Sequence, residues 1–310
     1  MWCFSLFTVE TQSPIAIGHR GFSVPLRLCG KVISLLLLSL PTGLFAQELY
    51  IQSEPASNMP KGSIGLRLTE RTYNQNSYKN NWLVPEVMAG VTKNLMMHIA
   101  LYTSDYSNAG LAYNGGYLYA KYRFYTCDEL QKHLRLAAFG RIAKSKLYNS
   151  QSMKAKAMFA AELDGYYSGY ELGLVATGLY HKLALSFSSS YTQMADWLDV
   201  WRSYNGKGYQ TVISAGYLLL PRQYKSYKQV NVNIYTELVG NYNNDITGMN
   251  NISVLPRNRS LEIAPGLQFI LNSQTRIDIG YRARLYSYYP SQQGNYMFLL
   301  RLEHTLFNRW

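Results

Sequence analysis

Residues 275–288 read TRIDIGYRARLYSY. Ile277, Ile279, Tyr281, Ala283 and Leu285 share one parity; Arg276, Asp278, Arg282 and Arg284 share the other. A period of two puts each set on its own side of a β-strand. A helix would bring together i, i+3 and i+4, and here i+3 is polar. One wholly apolar face backed by four charged side chains is the pattern of a strand with lipid on one side and a polar interior on the other.

The alternation recurs on both sides of this segment. Ile64, Leu66 and Leu68 oppose Gly65, Arg67 and Thr69. Leu118, Ala120, Tyr122 and Phe124 oppose Tyr117, Tyr119, Lys121 and Arg123. Leu134, Leu136, Ala138 and Ile142 oppose Arg135 and Arg141. Val230, Val232, Ile234 and Leu238 oppose Asn231, Asn233 and Glu237. Twelve strands are expected, at 62–70, 82–91, 95–104, 114–125, 133–143, 168–180, 183–192, 209–220, 228–240, 259–271, 275–288 and 295–309. Most are near the ~10 residues that a tilted strand needs to cross a bilayer. The sixth and eighth (LGLVATGLYH, TVISAGYLLL) are almost continuously apolar, which fits strands facing a plug or a misplaced boundary. Short gaps such as Asn272-Ser273-Gln274 alternate with longer Gly/Asn/Ser-rich gaps at 71–81, 105–113, 144–167, 193–208, 241–258 and 289–294. The expected fold is therefore all-β: an antiparallel transmembrane β-barrel of about twelve strands over 62–310, with short periplasmic turns and longer extracellular loops.

Composition agrees. Charged residues make up 15% of the chain and aromatics 14%, with 28 tyrosines, and no run of apolar residues repeats at the length of a membrane helix. The one long apolar run, Val32–Phe45, follows Arg27 and Lys31 and ends at Pro41-Thr-Gly and Ala46. It reads as a secretory signal cleaved before Gln47, so residues 1–46 are an N-terminal extension and signal peptide outside the fold. Beyond it Cys127 is the only cysteine, and no disulfide is expected. Residues 47–61, with two prolines and small polar side chains, read as a periplasmic N-terminal segment or a short insert into the lumen. The formal charge of +12 includes three bases (Arg20, Arg27, Lys31) and one acid (Glu10) in the leader. The remaining cations are scattered over strands and loops without a nucleic-acid motif, so no nucleic-acid partner is expected.

The closing stretch FLLRLEHTLFNRW (298–310) places Phe298, Leu300, Leu302, Leu306 and Trp310 on one parity and ends on an aromatic; His304 and Asn308 interrupt the pattern. It resembles the C-terminal signal of outer-membrane barrels. With SEPASNMP (53–60) and GLVATGLYHKLALS (173–186), it makes the chain similar to bacterial outer-membrane β-barrel proteins of the transporter-like, meta-pathway phenol-degradation or porin-like type. The resemblance implies a bacterial outer-membrane location, contacts with outer-membrane lipid and lipopolysaccharide, and insertion by the barrel-assembly machinery through the strand ending at Trp310.

Parity places Arg67, Lys121, Arg123, Arg135, Arg141, Arg276, Arg282, Arg284 and Arg301 on the inner face, with Glu237, Glu262, Asp278 and Glu303 as counter-charges. Charges in a narrow lumen must be paired or hydrated. They form either an anion-favouring constriction or an ion-pair ladder that fills the interior. Tyr102, Tyr117, Tyr119, Tyr125, Tyr286, Tyr288, Tyr289, Trp82 and Trp310 read as an interfacial girdle, with a stacking path for a solute as the sharper alternative. His98 and His133 could face the lumen but do not make a metal site, and the methionines beyond the leader, among them Met88 and Met96, are dispersed and give no copper path. His181 with Ser186 or Ser188 follows no catalytic spacing. No enzyme activity, cofactor or metal is expected. The expected role is a channel or transporter passing small polar or anionic solutes by passive diffusion. The alternative is a plugged structural or binding barrel acting through its loops, and an outer-membrane lipid hydrolase is third.

Overall fold

The computed structural model describes residues 50, 52–75, 78–105, 110–129, 132–146, 163–195, 205–221, 229–247, 253–255, 257–288 and 295–307. The leader, the terminal Trp310, the turn at 222–228, and much of the connections expected at 144–167, 193–208, 241–258 and 289–294 lie outside them.

The strands are β1 (Ile64–Gln75), β2 (Tyr78–Gly90), β3 (Leu95–Ser104), β4 (Ala112–Glu129), β5 (Lys132–Ser145), β6 (Gly169–Tyr180) and β7 (Leu183–Ala195). Then come β8 (Asn205–Leu220), β9 (Asn231–Asn243), β10 (Ile246–Thr247), β11 (Ser253–Leu255), β12 (Asn258–Leu271), β13 (Thr275–Ser287) and β14 (Tyr296–Leu306). β1 to β8 pair in sequence order, β8 pairs with β9, β9 with β12, and β14 returns to β1. Every pairing is antiparallel, so the ring closes with twelve strands and no free edge. Closure leaves no sheet edge of unpaired main-chain groups to face hydrocarbon. β10 and β11 form a small hairpin in the β9–β12 connection, and β10 touches the end of β8 at Asn205. No helix among the described residues is long and apolar enough to cross a membrane.

All twelve expected strands are present, including the two with weak alternation. Several are longer than the hydrophobic pattern. The connection expected at 71–81 shrinks to two residues, because β1 runs to Gln75 and β2 starts at Tyr78. Arg71 faces Trp82 and Thr72 faces Asn81 in that extension, and the Thr72 hydroxyl donates to Asn81 at 2.9 Å. Outside the lipid band neither face needs to be apolar, so the ladder continues on polar cross-strand pairs that carry no period-two signal.

The two faces separate cleanly. Leu66 is 50% exposed, while the neighbouring Arg67 is 7% exposed. Ile99, Leu118, Ile142, Leu172, Leu185, Ile213, Ile234, Ile279 and Leu300 are all exposed on the outer wall. A continuous apolar band of this extent is not stable in water and is what lipid covers. The wall also carries register shifts, at Tyr102/Thr103, Arg123/Tyr125, Leu218/Leu220 and Leu261/Glu262.

Candidate functional site

The interior is filled from both ends. One end of the barrel carries the short turns at 91–94, 181–182 and 272–274, and the segment before β1 enters there. A tight bend at 60–63 precedes the strand: Ser63 N donates to Pro60 O at 3.2 Å, and Gly62 N donates to Gly90 O at 2.9 Å. Gly90 must be glycine for this bend, because a Cβ there would lie 2.0 Å from the Pro60 carbonyl oxygen. Residues 52–60, expected as a periplasmic segment or a short lumen insert, lie inside the ring.

This segment forms no ladder. The wall's main-chain groups lie in the sheet and are taken up by strand pairing, so wall side chains satisfy the segment's backbone. Glu237 on β9 accepts from the main-chain nitrogens of Gln52 (2.8 Å) and Ser53 (3.1 Å). Thr177 on β6 accepts from Ala56 N at 2.9 Å. Lys121 on β4 donates to Pro55 O at 2.5 Å, Arg135 on β5 to the Ser57 hydroxyl at 3.1 Å, and Arg282 on β13 to Gln52 Oε1 at 2.8 Å. Apolar side chains complete the seat. Ala56 packs with Ala137 and Val175, and Met59 with Met88 and Met96. The cavity left beside Gln52, Glu237 and Arg282 is about 10 Å³, room for one water at most.

Residues 163–168, the end of the β5–β6 connection, fold in from the other end. Leu163 O accepts from Tyr102 at 2.7 Å, and Asp164 Oδ2 accepts from Tyr73 at 3.0 Å. Gly165 has a φ of 113°, and a Cβ there would meet the Trp82 ring at 2.2 Å. Tyr166 packs on Trp82 at a centroid distance of 4.9 Å. Trp82, Tyr102, Tyr117 and Tyr119 therefore belong to the interior, which corrects the girdle expected of them. Their parity is that of the inner face. Among the described residues the exposed tyrosines are Tyr113, Tyr122, Tyr125, Tyr180, Tyr209, Tyr217, Tyr281, Tyr286 and Tyr288.

Around the inserted segment runs a belt of ion pairs. Arg67 donates from Nε to Glu303 at 2.9 Å and from Nη1 to Glu54 at 2.6 Å, with Glu86 at 3.4 Å. Arg276 reaches the other oxygen of Glu303 at 3.2 Å, and His98 Nδ1 lies 2.5 Å from Glu86. The register shift at Leu261/Glu262 skips Leu285 and sets Glu262 opposite Arg284. Glu262, fully buried, accepts from Arg282 Nε at 2.7 Å and from Arg284 Nη2 at 3.1 Å. Asp278 accepts from Gln268 at 2.7 Å and is paired in register with Arg301. Arg301 also approaches Thr69 (3.4 Å) and Tyr50 O (3.5 Å). Arg141 sits apart, 3.5 Å from Glu171 and over the Tyr117 ring at 5.1 Å.

Comparison with known proteins adds to the fold. No family model matches the sequence, and no curated protein does either. An outer-membrane channel from Pseudomonas putida F1 is similar in structure, with a TM-score of 0.53 at 10% identity over 83% of this chain and 100% of that one. The chain shares the closed antiparallel β-barrel fold of that channel. The NanC porin (TM-score 0.44, 10% identity, 78% of this chain and 100% of that one) and LpxR from Salmonella typhimurium (TM-score 0.41, 8% identity, 78% and 99%) are similar at a level that adds nothing to the fold.

In this twelve-stranded barrel, twelve of the thirteen side chains expected in the lumen point inward. Arg123 does not join them. The bulge at Arg123/Tyr125 leaves it at the turn rim, half-exposed, donating to Lys93 O at 2.9 Å. The sequence reading passed over Glu54, Glu86 and Glu171. Glu86 shares the inner parity of Val84 and Met88, a signal available in NWLVPEVMAG. Glu54 had none, because an extended segment outside the strands has no face. His181 is exposed in the β6–β7 turn with a φ of 55°, while Ser186 is buried and bonded to Thr177 at 3.1 Å. Among the described residues no cluster of His, Cys, Asp or Glu could hold a metal ion.

Proposed function

We propose that the protein is a gated channel of a bacterial outer membrane, and that residues 52–60 are its gate. The turn end then faces the periplasm, the loop end faces outward, and the apolar band sits in outer-membrane lipid and lipopolysaccharide. Barrel-assembly machinery would recognise the C-terminal strand. The reading rests on one observation. The plug shares no ladder with the wall and is held by side-chain hydrogen bonds to several strands, so it can leave while the twelve-stranded ring stays closed. The path it vacates is lined by more basic than acidic side chains, which suits small anionic or polar solutes.

Deleting residues 48–60 tests this. Single-channel conductance in planar bilayers is expected to rise severalfold over the full chain. Equal conductance would show that the plug does not obstruct a path, and would favour the alternative of a structural barrel working through its loops. The packing of residues 163–168 into the loop end is the observation that favours that alternative.

A further inference from the structure

The plug and the basic wall meet at one carboxylate. Arg67 turns one edge of its guanidinium to the wall, with Nε and Nη2 both 2.9 Å from Glu303 Oε2. Its Nη1 corner points into the lumen and donates to Glu54 Oε1 at 2.6 Å. The other oxygen of Glu54 lies 3.9 Å from the ammonium of Lys121, which is fully buried. That oxygen is buried and accepts no hydrogen bond. Tyr119 stands two residues before Lys121 on the inner face of β4 and is 4% exposed. Its hydroxyl has no hydrogen-bond partner either. Glu54 Oε2 and the Tyr119 hydroxyl are thus a buried acceptor and a buried donor without hydrogen bonds, and such groups are uncommon in a folded interior. Glu54, tethered to the plug backbone, does not use all that the wall offers.

The geometry points to a receptor for a small carboxylate, built from Arg67 Nη1, Lys121 Nζ and Tyr119 Oη, in which Glu54 stands in for the solute while the plug is seated. This deepens, and for its access route rests on, the channel reading above. A carboxylate carries about four lone-pair sites on two oxygens. A guanidinium corner, an ammonium and a phenol can occupy three of them, two through charge-assisted bonds. A neutral isostere offers the wall no charge. Solute and Glu54 cannot occupy the receptor together, so a carboxylate solute binds the unplugged state better than the plugged one. A ligand with that differential affinity shifts the population toward the open channel. Selectivity and gating then come from the same three side chains.

Succinate, with succinamide as its neutral match, tests the receptor by calorimetric titration of the full chain folded in detergent. Glu54→Gln removes the internal competitor's charge and is expected to tighten succinate binding about tenfold, a difference of one charge-assisted contact. Succinamide binding should not change. Adding Lys121→Gln to Glu54→Gln should abolish the gain. Because the Tyr119 hydroxyl has no partner in the seated state, Tyr119→Phe should leave the fold intact, and in the Glu54→Gln background it should weaken succinate about fivefold. The receptor is refuted if Glu54→Gln tightens succinate and succinamide alike, which would mark a purely steric plug. It is also refuted if the Tyr119→Phe and Lys121→Gln variants bind succinate as well as their Glu54→Gln parent. Planar-bilayer conductance of the same proteins judges the channel reading separately: binding without conductance keeps the receptor and removes the channel, and conductance without binding does the reverse.

Discussion

Glu262 shows at the scale of one residue why the inner face is not a simple row of exposed charges. It is fully buried between Arg282 and Arg284, and both guanidiniums donate to it. Removing one member of a buried ionic set leaves the others uncompensated, at a cost of about 3–5 kcal/mol. Glu262→Ala is therefore expected to lower the urea midpoint of the refolded barrel by an amount equivalent to several kcal/mol. Arg123→Ala, at the half-exposed rim, should change stability by less than about 1 kcal/mol. Equal losses at the two sites, read from urea titrations followed by tryptophan fluorescence, would contradict the ion-pair assignment. The same geometry disqualifies a double Arg282/Arg284→Ala replacement as a clean probe of ion selectivity, since it strands a buried carboxylate.

At the scale of an element, the plug differs from every strand. A strand is held by a ladder along its length, and the plug by a handful of side-chain bonds. The Ser53 and Ser214 hydroxyls are 3.1 Å apart, with Glu237 accepting from both. Replacing Ser53 and Ser214 by cysteine, in a background whose native cysteines are serine, should permit a disulfide between plug and wall. The oxidised protein is expected to conduct less than the same protein after reduction, measured on one bilayer before and after adding reductant. Identical currents in the two states would mean that this part of the plug does not move during conduction.

At the scale of the whole molecule, the closed ring separates an apolar outside from a basic inside. With the plug deleted, the wall's excess of cations should draw anions into the lumen, as a ring of Arg and Lys does in anion pores. The reversal potential under a potassium chloride gradient is expected to favour chloride at about 0.1 M salt and to shrink toward zero near 1 M, where the Debye length falls to ~3 Å. Cation preference at low salt would show that the buried carboxylates, not the arginines, govern the path.

The sequence alone determined the twelve-stranded closed fold, because lipid imposes a period of two on each crossing and short turns punctuate it. It also determined which parity points inward, and so most of the lumen side chains, from Arg67 to Glu303. Only the tertiary structure decided what fills that lumen. Glu54 and Ser53 lie in a stretch with no periodicity. Their partners are 13 to 184 residues away in sequence, and nothing local records such distances. The register shifts that place Glu262 against Arg284 and move Arg123 to the rim were equally invisible, since a bulge is set by how two strands fit together rather than by either strand's own pattern.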